Sequence, residues 1–170
     1  MGREIRRVPP NWEHPAFAYC KHKPTCHTCY QPLHDQLYEE AANVWLENFA
    51  EWQRGERPDY FTEGDAEYFW DWDGMPPDKH YFRTYKDEEA TWYQVYETVS
   101  EGTPVTPPFE TEKELIEYLV EHGDFWAQKR NEGAVSREAA KRFVYGLKFA
   151  PSIVVKDGKI TVGIESCGEE

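Results

Sequence analysis

Positive charge and long apolar runs are both scarce in this chain. Its 170 residues hold 19 Lys and Arg against 32 Asp and Glu, a formal net charge of −13. Phosphate backbones and anionic membranes repel such a chain, so direct nucleic-acid binding is not expected. No apolar run approaches the roughly 18–20 residues that a membrane span requires, and mean hydropathy is −0.85. The opening MGREIRRVPPNW carries charge but no apolar h-region, so a secretory signal is not expected. Arg6 stands where an N-myristoylation motif needs Ser or Thr. The expected compartment is therefore the cytoplasm. The four Cys read there as thiols or metal ligands rather than disulfides. No nucleophile elbow, P-loop or HExxH motif occurs, and no catalytic residue is assigned.

Aromatic residues, by contrast, are abundant. Seven Trp, eleven Tyr and nine Phe make up 16% of the chain, enough to fill a core despite the low hydropathy. A disordered chain is poor in such residues. The length suits one domain over 1–170.

The densest local information lies in residues 92–120. Tyr93, Val95, Glu97 and Val99 alternate with Trp92, Gln94, Tyr96 and Thr98, which predicts a strand near 92–100. Gly102 frees a turn, and Pro104, Pro107 and Pro108 stiffen the connection beyond it. Thr111 and Glu114 then form a capping box ahead of Leu115, Ile116, Leu119 and Val120, predicting a helix over 112–122 with Gly123 as its stop.

Elsewhere the signals vary in strength. Residues 1–34 read as an extended basic arm with a Cys/His knuckle. In it, Cys26 and Cys29 have the spacing that lets two thiolates reach one ion, with Cys20 and His22 near enough to complete a tetrahedral zinc site. The alternative is surface thiols without a ligand. Apolar residues from Leu37 to Trp52 recur on one face and predict a helix over 35–54, capped by Asp35 and closed by Gly55. Residues 56–90 are acidic, aromatic and without clear period. They read equally as a binding loop or a satellite core. Ser136 caps a further helix over 137–145, ended by Gly146, and Asp157-Gly158 turns a hairpin over 152–164. The fold class expected is α+β: a small antiparallel sheet, containing the 92–100 strand and the hairpin, packed with about three helices.

Three passages carry a resemblance. They are Arg6-Arg7-Val8-Pro9, the block from Trp92 to Phe109, and Ala150-Pro151-Ser152-Ile153-Val154-Val155 with its Asp-Gly turn. Together they resemble a family of uncharacterised proteins of tailed bacteriophages and prophages. The likeness runs from Thr91 to about Gly163 and includes the N-terminal arm. Many relatives carry CxxC knuckles followed by Gly-x-Gly; Cys26 and Cys29 keep the pair without those glycines. The resemblance implies an accessory phage product acting in the bacterial cytoplasm.

Three functions are expected candidates. The first is a binding protein that occupies or sequesters a host component, either a basic protein surface or a small nucleotide signal. Its expected contacts are Arg6, Arg7, Trp92, Tyr96, Glu97, Ser100 and Glu101. The second is a zinc-stabilised module held by Cys20, His22, Cys26 and Cys29. The third is an enzyme using Glu97, Glu101 and His122.

Overall fold

In a computed structural model the described residues are 2–17, 29–62, 64–98, 102–130, 134–156 and 158–168. In chain order the elements are β1 (Arg3–Val8), β2 (His34–Leu37), α1 (Tyr38–Gln53), α2 (Phe69–Trp72), β3 (Phe82–Arg83), β4 (Trp92–Glu97) and β5 (Thr103–Pro104). They continue with α3 (Glu112–His122), α4 (Phe125–Arg130), α5 (Arg137–Lys141), β6 (Phe149–Ala150), β7 (Ile153–Lys156) and β8 (Lys159–Val162). The fold is α+β. Two compact units divide the chain: Met1–Leu33 with Tyr85–Glu170, and His34–Thr84, which is inserted in sequence between the two segments of the first.

The larger unit is built on a four-stranded antiparallel sheet in the order β5-β4-β1-β6. Its centre corrects the expected basic arm. Arg3–Val8 is a strand paired along its whole length with β4, from Arg3 opposite Glu97 to Val8 opposite Trp92. Direct cross-strand partners share a face. Arg3, Ile5, Arg7, Tyr93, Val95 and Glu97 therefore lie on one side, and Glu4, Arg6, Val8, Trp92, Gln94 and Tyr96 on the other. The alternation expected of residues 92–97 is observed, and both faces are covered. Val95 joins Leu115, Ile116, Leu119, Ala139, Ala140, Phe143 and Val144 in the main core. Tyr96 and Val8 pack with Tyr85 and Ala90 in a second cluster.

The helices keep their local signatures. Thr111 accepts a hydrogen bond from the Glu114 amide (3.2 Å), and Glu114 accepts one from the Thr111 amide (3.1 Å), the reciprocal pattern that satisfies two free N–H groups. Gly123 closes α3 at φ +71°. Ser136 caps α5, accepting from Ala139 at 3.4 Å. Beyond α5 the chain widens into a π-helical turn, Arg142–Leu147. This turn brings both Phe143 and Val144 into the core. It ends at left-handed Lys148, two residues past the expected stop at Gly146.

Two further expectations are corrected. The C-terminal hairpin does not join the main sheet: among the described residues β7 and β8 pair with each other, with Lys156 opposite Lys159, and Asp157 of the expected turn lies outside the described residues. Both edges of β4 are already occupied, one by β1 and the other by the short return strand β5. In the inserted unit the helix starts later than expected. Residues His34–Leu37 are extended and pair in parallel with β3. Leu37, not Asp35, sits at the helix N-cap, while Asp35 faces Arg83 at 3.8 Å.

Cys167 is buried, and burial pushes its thiol pKa above the ordinary range. Since the thiolate is the reactive form, alkylation of Cys167 at neutral pH should be much slower in the folded protein than in denaturant. Peptide mass spectrometry of the labelled site measures this; equal rates would contradict the packing of the C-terminal turn.

Candidate functional site

Most of the contacts expected from sequence turn out to hold the larger unit together. Arg3, which sequence reading did not single out, forms a buried ion pair with Asp124. Asp124 also caps α4, accepting from the Ala127 amide at 2.8 Å. Glu97, opposite Arg3, is buried. Its carboxylate accepts from Thr103 Oγ1 at 2.7 Å and from Trp126 Nε1 at 2.8 Å. This is how a buried carboxylate is satisfied structurally. It ties β4 to β5 and α4.

Arg6 and Arg7 are engaged as well. Arg6 is buried; its guanidinium lies 4.6 Å from the Tyr96 ring centroid, pairs with Glu4 at 2.6 Å and donates to the Leu33 carbonyl. Arg7 stacks at 4.4 Å on Tyr93, its direct cross-strand partner. It also donates to the carbonyls of Ala90 (3.1 Å) and Thr91 (3.2 Å). These arginines staple strands and loops, and each already has its acceptors. Trp92 packs partly buried against the second cluster. Ser100 and Glu101 lie outside the described residues, as do Cys20, His22 and Cys26.

Cys29, the described member of the metal set, is disulfide-bonded, in contrast to the thiol state expected of the cysteines. A half-cystine sulfur is not the thiolate that binds zinc. Among the described residues no group of three or more His, Cys, Asp or Glu is placed to hold a metal ion.

Beside the Pro-rich connection lies a cavity of about 740 Å³, walled by Trp12, Tyr30, Pro107, Pro108, Tyr118 and Phe125. Behind it runs a polar chain. His14 contacts the Gln31 carbonyl (2.7 Å) and the Tyr96 hydroxyl (3.2 Å) through its two ring nitrogens. Tyr96 donates to Gln94 at 3.0 Å, and Gln94 donates to the Thr106 carbonyl at 2.8 Å. Tyr96 is thus tied to the residues of this wall, although its ring is fully buried. Sequence reading missed Trp12, His14, Tyr30 and Tyr118, because the residues that converge here lie up to about a hundred positions apart in the chain.

The inserted unit presents a different surface. Residues 34–84 hold thirteen Asp and Glu against four Lys and Arg, so 51 residues carry a net −9 of the chain's −13. They also hold four of the seven Trp. Residues 56–90 contribute both a buried ring and exposed ones. Phe69 is buried, with Trp45, Phe49 and Trp52 packed around it at 5.2–5.9 Å. Meanwhile Tyr60 (77% exposed), Met75 (74%), Trp70 (48%) and Tyr68 (47%) face outward. Tyr68 and Trp70 stack at 5.0 Å with their rings 3° from parallel. The α1 stripe supplies the inner wall of this small core, although no residue of α1 is itself fully buried.

No family model, curated protein or solved structure matches the chain. No helix among the described residues is long and apolar enough to cross a membrane.

Proposed function

We propose that the chain is a binding protein that grips a basic protein surface through the inserted unit, as a phage-encoded accessory factor acting on a host component. The observation that carries this reading is the coincidence of net −9 with exposed Tyr60, Tyr68, Trp70 and Met75 in the same 51 residues. Aromatic and Met side chains are the usual anchors of protein contacts, and acidic rims steer basic partners and reject nucleic acid. The phage origin and the host target rest on the resemblance of the Trp92–Phe109 block. A nucleotide signal is the less supported ligand, because Arg6 and Arg7 are already bonded within the sheet.

The test is co-purification from host lysate of the tagged full chain, compared with a Tyr60→Ser/Trp70→Ser variant. Retention of a discrete basic protein is expected, weakened by raised salt and lost in the variant. Both substituted side chains are exposed, so the fold should tolerate them. If nothing is retained, or retention ignores both salt and the substitutions, the reading fails.

A further inference from the structure

Within the inserted unit, a cavity of about 400 Å³ is lined by Trp52, Tyr60, Phe69 and Trp72 and by the carboxylates Glu51, Glu56 and Asp73. Its aromatic wall is held by ring packing: Trp72 meets Phe61 edge-on at 5.1 Å and Tyr60 at 5.8 Å, and Trp52 meets Phe61 edge-on at 5.5 Å. Aromatic faces with carboxylates above them attract cations, since ring quadrupole and charge pull the same way.

The unit already demonstrates the preference on itself. Arg57 lies with its guanidinium carbon 3.4 Å from the Trp52 centroid. It donates to the carbonyls of Trp52 (2.8 Å) and Glu56 (2.7 Å). Among the described residues Arg57 forms no ion pair, so stacking and carbonyl hydrogen bonds hold it there. Of the carboxylates, Glu56 is taken up by Arg54 at 2.6 Å. Glu51 forms no ion pair among the described residues, and Asp73 has only long contacts to the Asn48 amide, at 3.4 and 3.5 Å. Glu51 and Asp73, neither in an ion pair among the described residues, thus share the cavity with Tyr60, Trp72 and the Arg57 guanidinium, where carboxylates outnumber the lining cation.

We infer that this cavity seats an arginine side chain of the partner, stacked on Trp72 and Tyr60 and paired with Glu51 and Asp73. The inference rests on the binding reading above and specifies its recognition chemistry. A planar guanidinium suits both the ring faces and a carboxylate pair, where an ammonium acts as a point charge. The exposed Tyr60 gives the seat an open side from which a side chain enters.

The probe is a short capped peptide of alternating Arg and Gly, compared with its citrulline and lysine counterparts and titrated against the full chain by tryptophan fluorescence and calorimetry. The Arg peptide should bind in a salt-sensitive manner, and the citrulline peptide, nearly isosteric but neutral, should not. Glu51→Gln/Asp73→Asn should weaken Arg-peptide binding about tenfold, from the loss of two pairings. Glu39→Gln/Glu40→Gln removes the same charge from the first turn of α1, away from the cavity lining, and should change binding less than about twofold. Equal effects of the two double variants would reduce the binding to general charge and overturn the seat. So would binding of citrulline, or of the lysine peptide as tightly as the arginine one. If a basic host protein is retained equally by wild type and by the Glu51→Gln/Asp73→Asn variant, the seat is wrong while the wider binding reading stands. Failure of the wild-type chain to retain any such protein is the separate failure of that reading.

Discussion

Asp124→Ala is expected to destabilise the larger unit by about 4 kcal/mol, from loss of a buried ion-pair partner and a helix cap. The side chain makes two contacts, the first buried and the second partly so: one oxygen pairs with Arg3 in the central strand, the other caps α4 through the Ala127 amide. Removing it leaves a guanidinium, itself only 3% exposed, without this carboxylate. Removing one partner of a buried pair costs more than the pair contributes, because part of the desolvation of the charge left behind is no longer offset. Arg3→Met should also destabilise. The Arg3→Met/Asp124→Ala double variant should lose clearly less than the sum of the singles, since the two changes remove the same contact. Chemical denaturation of the four proteins measures the coupling. Additive losses would mean that the pair is not the organising contact.

Gly102→Ala should cost about 3 kcal/mol, from backbone strain near 1 kcal/mol together with overpacking. Gly102 has φ +94°, where an L side chain is strained. An added Cβ would lie 2.2 Å from Arg6 Nη1 and 2.3 Å from the Leu33 carbonyl oxygen. Neither neighbour yields easily: Arg6 is buried, pairs with Glu4 and donates to the Leu33 carbonyl, and the Leu33 amide donates to the Gly102 carbonyl at 3.2 Å. Gly55→Ala is the matched control. Its φ is +81° and nothing lies within 4 Å of the added Cβ, so it isolates backbone strain at about 1 kcal/mol. A melting-temperature loss of about 10 °C for Gly102→Ala is expected, with a markedly smaller loss for Gly55→Ala. Similar losses would show that the close approach to Arg6 and Leu33 does not matter.

Both predictions concern residues whose roles depend on long-range partners, and that division runs through the whole molecule. Of the contacts expected around residues 92–101, Glu97 and Tyr96 are indeed buried and richly bonded, but inward. Trp92 and Arg7 likewise serve the sheet. The better candidate surface is the acidic aromatic insertion. Its composition is visible in the chain, but the wall of its cavity is not. Trp52 and Glu51 come from α1, whereas Trp72 and Asp73 come from a turn some twenty residues later. Loop residues without a period offer no rule for which rings meet.

The sequence by itself determined whatever neighbours along the chain can settle: the Thr111–Glu114 box and its helix, the Ser136 cap, the alternating faces of 92–97 and the pairing of the two hairpin strands. Each depends on groups within a few residues, whose geometry is set by backbone sterics and local hydrogen bonding. Tertiary structure alone decided that Arg3–Val8 is a central strand and not a loose arm, that its arginines are bonded inward, and that residues 34–84 form a unit of their own. Those outcomes turn on partners about thirty to a hundred and twenty positions away, where burial and pairing outweigh the local preference of charged residues for solvent.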